Sequence, residues 1–223
     1  MLAMNLDKYL KEAEDIARME KVIKKYLPYL KDVHIDLVCE SDFPPFITFL
    51  DFMNFTQTCK FASDGLKQAS IELIYVQVDT NVKARNGIIR GEFLEALIRV
   101  AKAKYVDTGI EKRLDVALEK LVECLIKPNW PADRWQKLRD KKFWNNEVND
   151  ILQVNLEGLK MLHRKFWDLK ALPKKKFMLL KECESLLLET KLKINLKTIR
   201  RSFIMAKMTC SDERTKIDSY NKL

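Results

Sequence analysis

Residues 88–105 constrain the fold more than any other part of this 223-residue chain. Apolar side chains recur there at helical spacing, and charged side chains form a stripe on the opposite side. The apolar positions are Phe93, Leu94, Leu97, Ile98, Val100, Ala101 and Tyr105, and the charged positions are Glu92, Glu95, Arg99 and Lys102. A short helix with so wide an apolar face is not stable alone in water. The pattern therefore predicts a helix that forms one wall of a core.

The composition favours an all-α fold. Only five glycines and six prolines occur, which disfavours turn-rich sheets and phosphate-cradling loops, whereas abundant Leu, Lys, Glu and Ala favours helices. The five cysteines are odd in number and include no C-x-x-C spacing. Neither a disulfide framework nor a zinc site is indicated, and a reducing compartment fits best.

The secondary structure predicted for the other segments is clear in some and ambiguous in others. Further helices are predicted at residues 6–26, where Pro28 stands near the end, and at 110–126, 132–169, 177–189 and 196–207. Residues 33–39 and 66–78 fit a helix or a strand, and the sequence alone leaves both open. Residues 46–55 carry aromatic side chains too densely for an exposed helix and are predicted to be core. The tryptophans near 132–169 must dock on their own domain or on a partner, because large aromatic side chains bury extensive area.

The basic charge is concentrated in one region. Between residues 160 and 207 there are 14 Lys and Arg against 4 Asp and Glu, which gives +10, so the rest of the chain is about neutral and this region accounts for the chain's net charge of +9. A field of this kind suits nucleic acid, an anionic membrane surface or acidic protein tails, although a solvated helix surface explains it equally well. The candidate partner-binding residues are Lys174, Lys175, Lys176, Arg200 and Arg201, with Trp144 and Trp167.

Several functional classes find no support in the sequence. The two histidines, His34 and His163, lie far apart and are expected to be ordinary surface or core-edge residues. No nucleotide-binding, hydrolase or metalloprotease motif occurs, so we expect neither an enzyme nor a cofactor. No apolar run approaches the roughly 20 residues of a membrane span. The acids near the N-terminus also do not fit a secretory signal or a transit peptide.

A resemblance emerges around residues 79–105. A helix, a polar loop, a hydrophobic residue and then Glu-Phe-Leu-Glu-Ala-Leu at 92–97 resemble the exit half of an EF-hand. The longer pattern through residue 105 resembles degenerate EF-hand modules of ciliary and flagellar proteins of protists, and is similar to the tubulin polymerisation-promoting protein family. The resemblance covers residues 46–105 well and 177–223 loosely. A weak internal match between 66–76 and 192–205 suggests a second module that stops mid-motif at the end of the chain.

Calcium can be tested position by position. With Glu92 at position 12, Ile88 correctly occupies position 8, but positions 3 and 5 are Lys83 and Arg85, which cannot bind a hard cation. A loop that starts at Asp79, with Asn81 at position 3, instead puts Arg90 at the glutamate position. The loop has kept its turn and lost its ligands. We therefore expect no metal at the loop Asp79, Asn81 and Glu92.

These observations predict EF-hand-like helix pairs joined by a long helical connector. The expected domains are an N-terminal helix with a degenerate module (1–126), a Trp-rich connector (127–172) and a partial second module with a basic surface (173–223). The resemblance implies a non-catalytic structural protein of the ciliary axoneme, cytoplasmic and cytoskeletal, within a larger complex. It would associate with tubulin or other axonemal proteins and not with membranes. The alternatives are a calcium-regulated adaptor and, less favoured, a nucleic-acid-binding protein acting through residues 160–207.

Overall fold

The predicted all-α fold is confirmed, because the regular structure of the described residues in this computed structural model is helical. The structure describes residues 9–41, 46–79, 86–131, 139–167, 178–190 and 192–206. The chain divides into two units, unit 1 (residues 1–132) and unit 2 (residues 133–223). The expected boundary between 172 and 173 lies outside the described residues, and the proposed three-part organisation stays a prediction.

Unit 1 is built from six helices among its described residues. In chain order they are α1 (Ala13–Glu40), α2 (Phe49–Thr58), α3 (Gln68–Val78), α4 (Arg90–Ala101), α5 (Leu114–Leu121) and the short α6 (Lys127–Asn129). Helices α4 and α5 each continue into a π-helical turn, at Lys102–Val106 and Val122–Ile126. The predicted helix of residues 88–105 is therefore present, with its last turn widened.

Helix α1 is longer than the sequence predicted. It runs through Pro28 and takes in residues 33–39, whose type was open. Tyr26, Leu30, Val33 and Leu37 are buried at helical spacing on both sides of the proline. A proline inside a helix removes one backbone hydrogen bond. The expected end near Pro28 is wrong because burial of this face on both sides of Pro28 holds the two segments in one helix.

Aromatic side chains fill the centre of unit 1. The Phe55 ring lies 5.5 Å from that of Phe61 and 5.7 Å from that of Phe93, and the Trp130 ring stands 5.4 Å away nearly perpendicular to it. Such tilted and edge-on arrangements are the favoured ones for aromatic pairs. Phe49 departs from the prediction that all of residues 46–55 are core, since 44 % of it is exposed. It lies on the outer side of α2, where its ring meets the edge of Tyr75.

Unit 2 contains a π-helical turn (Arg139–Phe143) and then α7 (Asn146–Val154), α8 (Leu156–Trp167), α9 (Leu180–Glu189) and α10 (Leu196–Ala206). Asn145 caps α7, because its side-chain oxygen accepts a hydrogen bond from the Val148 N–H at 2.9 Å. Among the residues of this unit that the structure describes, the buried apolar ones are Phe166, Met178, Ile199, Phe203 and Ile204. Most of the α7 and α8 side chains are exposed.

Candidate functional site

Two loops meet in unit 1. The loop between α1 and α2 and the loop between α3 and α4 are joined by an antiparallel bridge from Ile47 to Ile88. Each of these residues donates its N–H to the carbonyl of the other at 3.0 Å. The Tyr75 hydroxyl also donates to the Ile47 carbonyl, at 2.9 Å. The arrangement is a pair of helix–loop–helix units whose loops are tied together by backbone atoms.

Each loop ends in the same way. Four residues after the bridging isoleucine stands a carboxylate, Asp51 in the first loop and Glu92 in the second. The N–H of Thr48 donates to Asp51 Oδ2 at 3.0 Å, and the N–H of Ile89 donates to Glu92 Oε2 at 3.0 Å. Each carboxylate thus accepts a hydrogen bond from a backbone N–H group at the start of a helix. A side chain that bound a metal ion would have to give up this hydrogen bond.

Glu92 corrects a prediction. The sequence places it on a solvent-facing charged stripe with Glu95 and Arg99, but only 2 % of it is exposed. Glu92 is buried because its carboxylate folds back over the N-terminus of α4 and caps the helix. Glu95 and Arg99 do form the expected pair, with Arg99 Nη2 3.0 Å from Glu95 Oε1.

The other loop residues give no metal site in the described structure. The Asp79 N–H donates to the Tyr75 carbonyl at 3.0 Å and so closes α3. Asn81 lies outside the described residues. Among the residues that the structure describes, no group of three or more His, Cys, Asp or Glu side chains is placed to hold a metal ion.

Buried titratable groups stand behind the loops. Burial raises the pKa of the Tyr75 hydroxyl, so this group keeps its proton and remains a donor to Ile47. His34 is fully buried in α1, with its ring 5.9 Å from that of Phe93, and burial lowers its pKa to about 3. His34 is therefore a neutral core residue and not the surface or core-edge residue that the sequence suggested.

The predicted partner-binding residues lie in unit 2 and are placed differently. Trp144 is 57 % exposed. Arg200 Nε donates to Glu184 Oε1 at 2.8 Å and so links α10 to α9, and Arg201 is half-buried. Trp167 ends α8, and Lys174, Lys175 and Lys176 lie outside the described residues. The binding roles of these residues stay predictions.

Sequence reasoning missed two features, one in each unit. One is the first loop, which the shared spacing of an isoleucine and a carboxylate four residues later would have revealed at 47–51 as at 88–92. The other is that Trp144, which the sequence did propose as partner-binding, lies in an exposed aromatic and basic patch of unit 2 together with Lys141, Lys142 and Phe143. We call it the 141–144 patch. Its signal in the sequence was the run of two lysines before two aromatics.

Fold and site define the class as an all-α protein with a paired helix–loop–helix unit. No protein-family model matches the chain, and no curated protein or solved structure matches it either. None of the described helices is long and apolar enough to cross a bilayer.

Proposed function

We propose that this protein is a non-catalytic structural protein that binds acidic surfaces of microtubules or microtubule-bound proteins, and that it works in the ciliary axoneme. The 141–144 patch carries the proposal. Phe143 and Trp144 are 54 % and 57 % exposed, and Lys141 and Lys142 are exposed beside them. Exposed aromatic side chains next to cations are typical of the residues that dominate protein interfaces.

The chemistry of the patch favours an acidic protein partner. Lysine ammonium groups attract carboxylates over a distance of about a Debye length, and the aromatic rings add apolar contact once the partner has arrived. The acidic tails of tubulin offer such carboxylates in a flexible chain. The excess of basic residues between 160 and 207 would strengthen the same attraction.

Unit 1 supplies the link to the EF-hand-like families. Two helix–loop–helix units joined by one antiparallel bridge, each with a carboxylate four residues after the bridging residue, support the resemblance seen at residues 88–105. The carboxylates cap helices, so unit 1 acts as a permanently formed packing module. The ciliary location follows from that resemblance, and a fluorescent fusion that labels the cell body and not the cilia would contradict it.

Microtubule co-sedimentation tests the role of the patch. We expect the double variant Lys141→Glu, Lys142→Glu to bind roughly tenfold more weakly, with a reduced dependence on salt, because two attractions become repulsions. The matched control is Lys21→Glu, Lys31→Glu on exposed positions of α1, which changes the net charge equally. Equal losses in both variants would show a general charge effect and reject the patch.

A second arm tests the partner's chemistry. Microtubules from which the acidic tails have been removed by proteolysis should bind the natural chain as weakly as intact microtubules bind the patch variant. The triple change Lys174→Glu, Lys175→Glu, Lys176→Glu tests the originally predicted lysines in the same assay. Full binding to tailless microtubules would overturn the assignment of the acidic tails.

A further inference from the structure

Helix α3 carries apolar side chains on its exposed side as well as on its buried side. Ile71, Ile74 and Val78 are buried in unit 1, whereas Leu73 and Val76 are 60 % and 58 % exposed. None of the exposed residues of this helix is charged. They are Ala69, Ser70, Leu73, Val76 and Gln77, and we call them the α3 stripe. A helix that is apolar on all sides is usually covered on all sides, so the α3 stripe is a surface suited to docking.

The chain before α1 is fixed at one end of the α3 stripe through Tyr9. The Tyr9 hydroxyl donates to Glu95 Oε1 at 2.8 Å and accepts a hydrogen bond from Arg99 Nε at 2.7 Å. The same guanidinium donates through Nη1 to Gln77 Oε1 at 2.9 Å. Because Gln77 belongs to the stripe, one arginine holds Tyr9 beside it. Leu73 lies four residues before Gln77, and therefore on the same side of α3.

Residues 1–8, which lie outside the described residues, have the composition and the length to cover this stripe. Residues 1–6 are Met-Leu-Ala-Met-Asn-Leu, with five apolar side chains and no charge, and the charged Asp7 and Lys8 stand next to Tyr9. From Gln77 to Ala69 the stripe is about 12 Å long at the helical rise per residue. An extended segment of this length reaches about 27 Å. Contact between residues 1–6 and the stripe would therefore bury apolar surface and no charge.

We propose that residues 1–6 of this chain dock on the α3 stripe, beside the point where Arg99 fixes Tyr9. Apolar contact supplies the attraction, because removal of apolar surface from water is favourable. A segment tethered this closely has an effective concentration in the millimolar range. A second copy or another protein at micromolar concentration would need roughly a thousandfold higher affinity to take its place. The segment thus acts as an internal cover that keeps an apolar surface of unit 1 from binding other proteins.

Photocrosslinking of the full chain tests the occupant, and it does not rest on the proposed function, because the 141–144 patch belongs to unit 2. With Leu73 replaced by benzoylphenylalanine, irradiation at micromolar concentration should give a product of monomer mass. Mass spectrometry of its digest should place the linkage within residues 1–8. The control carries the same probe in place of Leu188, which is 56 % exposed on α9 of unit 2, and should not link to residues 1–8. A product of dimer mass would assign the stripe to a second copy and overturn the proposal, as would linkage elsewhere, equal linkage from both probes, or none.

Charge introduced into the segment tests whether apolar contact holds it. The double variant Leu2→Asp, Leu6→Asp should lower the yield of the linkage from position 73 about tenfold or more, because docking would take two carboxylates out of water. The matched control is Asn5→Asp, Lys8→Asn, which lowers the net charge equally and keeps every apolar side chain. Its yield should not change, and circular dichroism should show the same helix content in both variants. If both variants keep the linkage, if both lose it, or if the linkage disappears together with helix content, apolar docking of the segment is wrong.

Discussion

His34 lies where the core would ordinarily hold a hydrophobic side chain. Within the described part of the chain, neither ring nitrogen has a hydrogen-bond partner, and the ring rests against Phe93. A buried polar group without a partner costs roughly 1–3 kcal/mol. The imidazole also loses hydration, with the Arg90 charge as a second cause, so its pKa falls to about 3.

This burial predicts acid sensitivity. An unfolded histidine binds a proton below about pH 6.5, whereas folded His34 stays neutral down to about pH 3, so the unfolded state gains the proton first. The free energy of unfolding should fall between those limits. By pH 5 this residue should account for a loss of roughly 2 kcal/mol relative to pH 7.

Urea unfolding of His34→Leu at pH 7 and pH 5 measures the effect. The variant should be at least as stable as the natural chain at pH 7 and should lose less stability at pH 5. His163→Leu in unit 2 is the comparison, because His163 is half-exposed. If His34→Leu keeps the full pH dependence, the acid sensitivity belongs to other groups.

Gly87 is required by the bridge between the loops. Its φ is +148°, and a Cβ there would overlap the Ile47 carbonyl oxygen and approach the carbonyl carbon to 2.7 Å. Gly87→Ala should therefore destabilise unit 1 by about 2–4 kcal/mol. Gly109 also has a positive φ, +77°, but a Cβ there meets nothing within 4 Å. Gly109→Ala should cost only about 1–2 kcal/mol, and equal losses in thermal unfolding would show that backbone strain alone acts at Gly87.

Among the helices, α1 shows why part of the fold could be read from the sequence and part could not. Its helical spacing is plain before Pro28. Residues 33–39 alternate like a strand because the polar His34 and Asp36 stand between apolar residues, yet both of these polar residues are buried in the helix. A segment with core on several sides has no solvent-facing stripe, and without that stripe the period cannot be assigned. In α4 one face remains exposed to solvent, and there the predicted helix is confirmed.

Part of the site could likewise be predicted from the sequence, and part could not. The spacing of Ile88 and Glu92 was visible, and it placed the second loop correctly. What it could not show was the partner of Ile88, because the bridge to Ile47 uses backbone atoms that carry no residue signature. Nor could it show that Glu92 turns inward, since a glutamate in a helical stripe has the same sequence pattern whether it is solvated or capping.

Substitution of Pro28 tests how the proline affects the stability of α1. Pro28 is exposed and has no N–H to donate to the carbonyl of Lys24. Pro28→Ala should restore that hydrogen bond and stabilise unit 1 by about 1–2 kcal/mol, after the greater freedom of the unfolded chain is taken into account. Lys31→Ala, on an exposed position of the same helix, should change the urea midpoint little. A lower midpoint for Pro28→Ala would mean that the proline helps to hold α1 in its native form.

At the scale of the whole molecule, we propose that unit 1 works as a fixed module, because protein atoms already occupy the groups a cation would need. Thr48 and Ile89 N–H groups hold Asp51 and Glu92, and the Ile47–Ile88 bridge and Tyr75 hold the loops together. Opening such a module for calcium would break several of these bonds at once. The protein should therefore bind its partner equally well in calcium and in a chelator.

Thermal unfolding of the full chain decides between this module and a calcium-regulated adaptor. A site with micromolar affinity at about 1 mM calcium would add roughly 4 kcal/mol, which would raise the melting temperature by about 8 °C or more in a chain of this size. We expect a shift below about 1 °C relative to chelator, the same as with magnesium chloride at equal ionic strength. Microtubule co-sedimentation should likewise not change on adding calcium. A stabilisation specific to calcium would mean that the loop carboxylates leave their helix caps, and the fixed-module interpretation would be wrong.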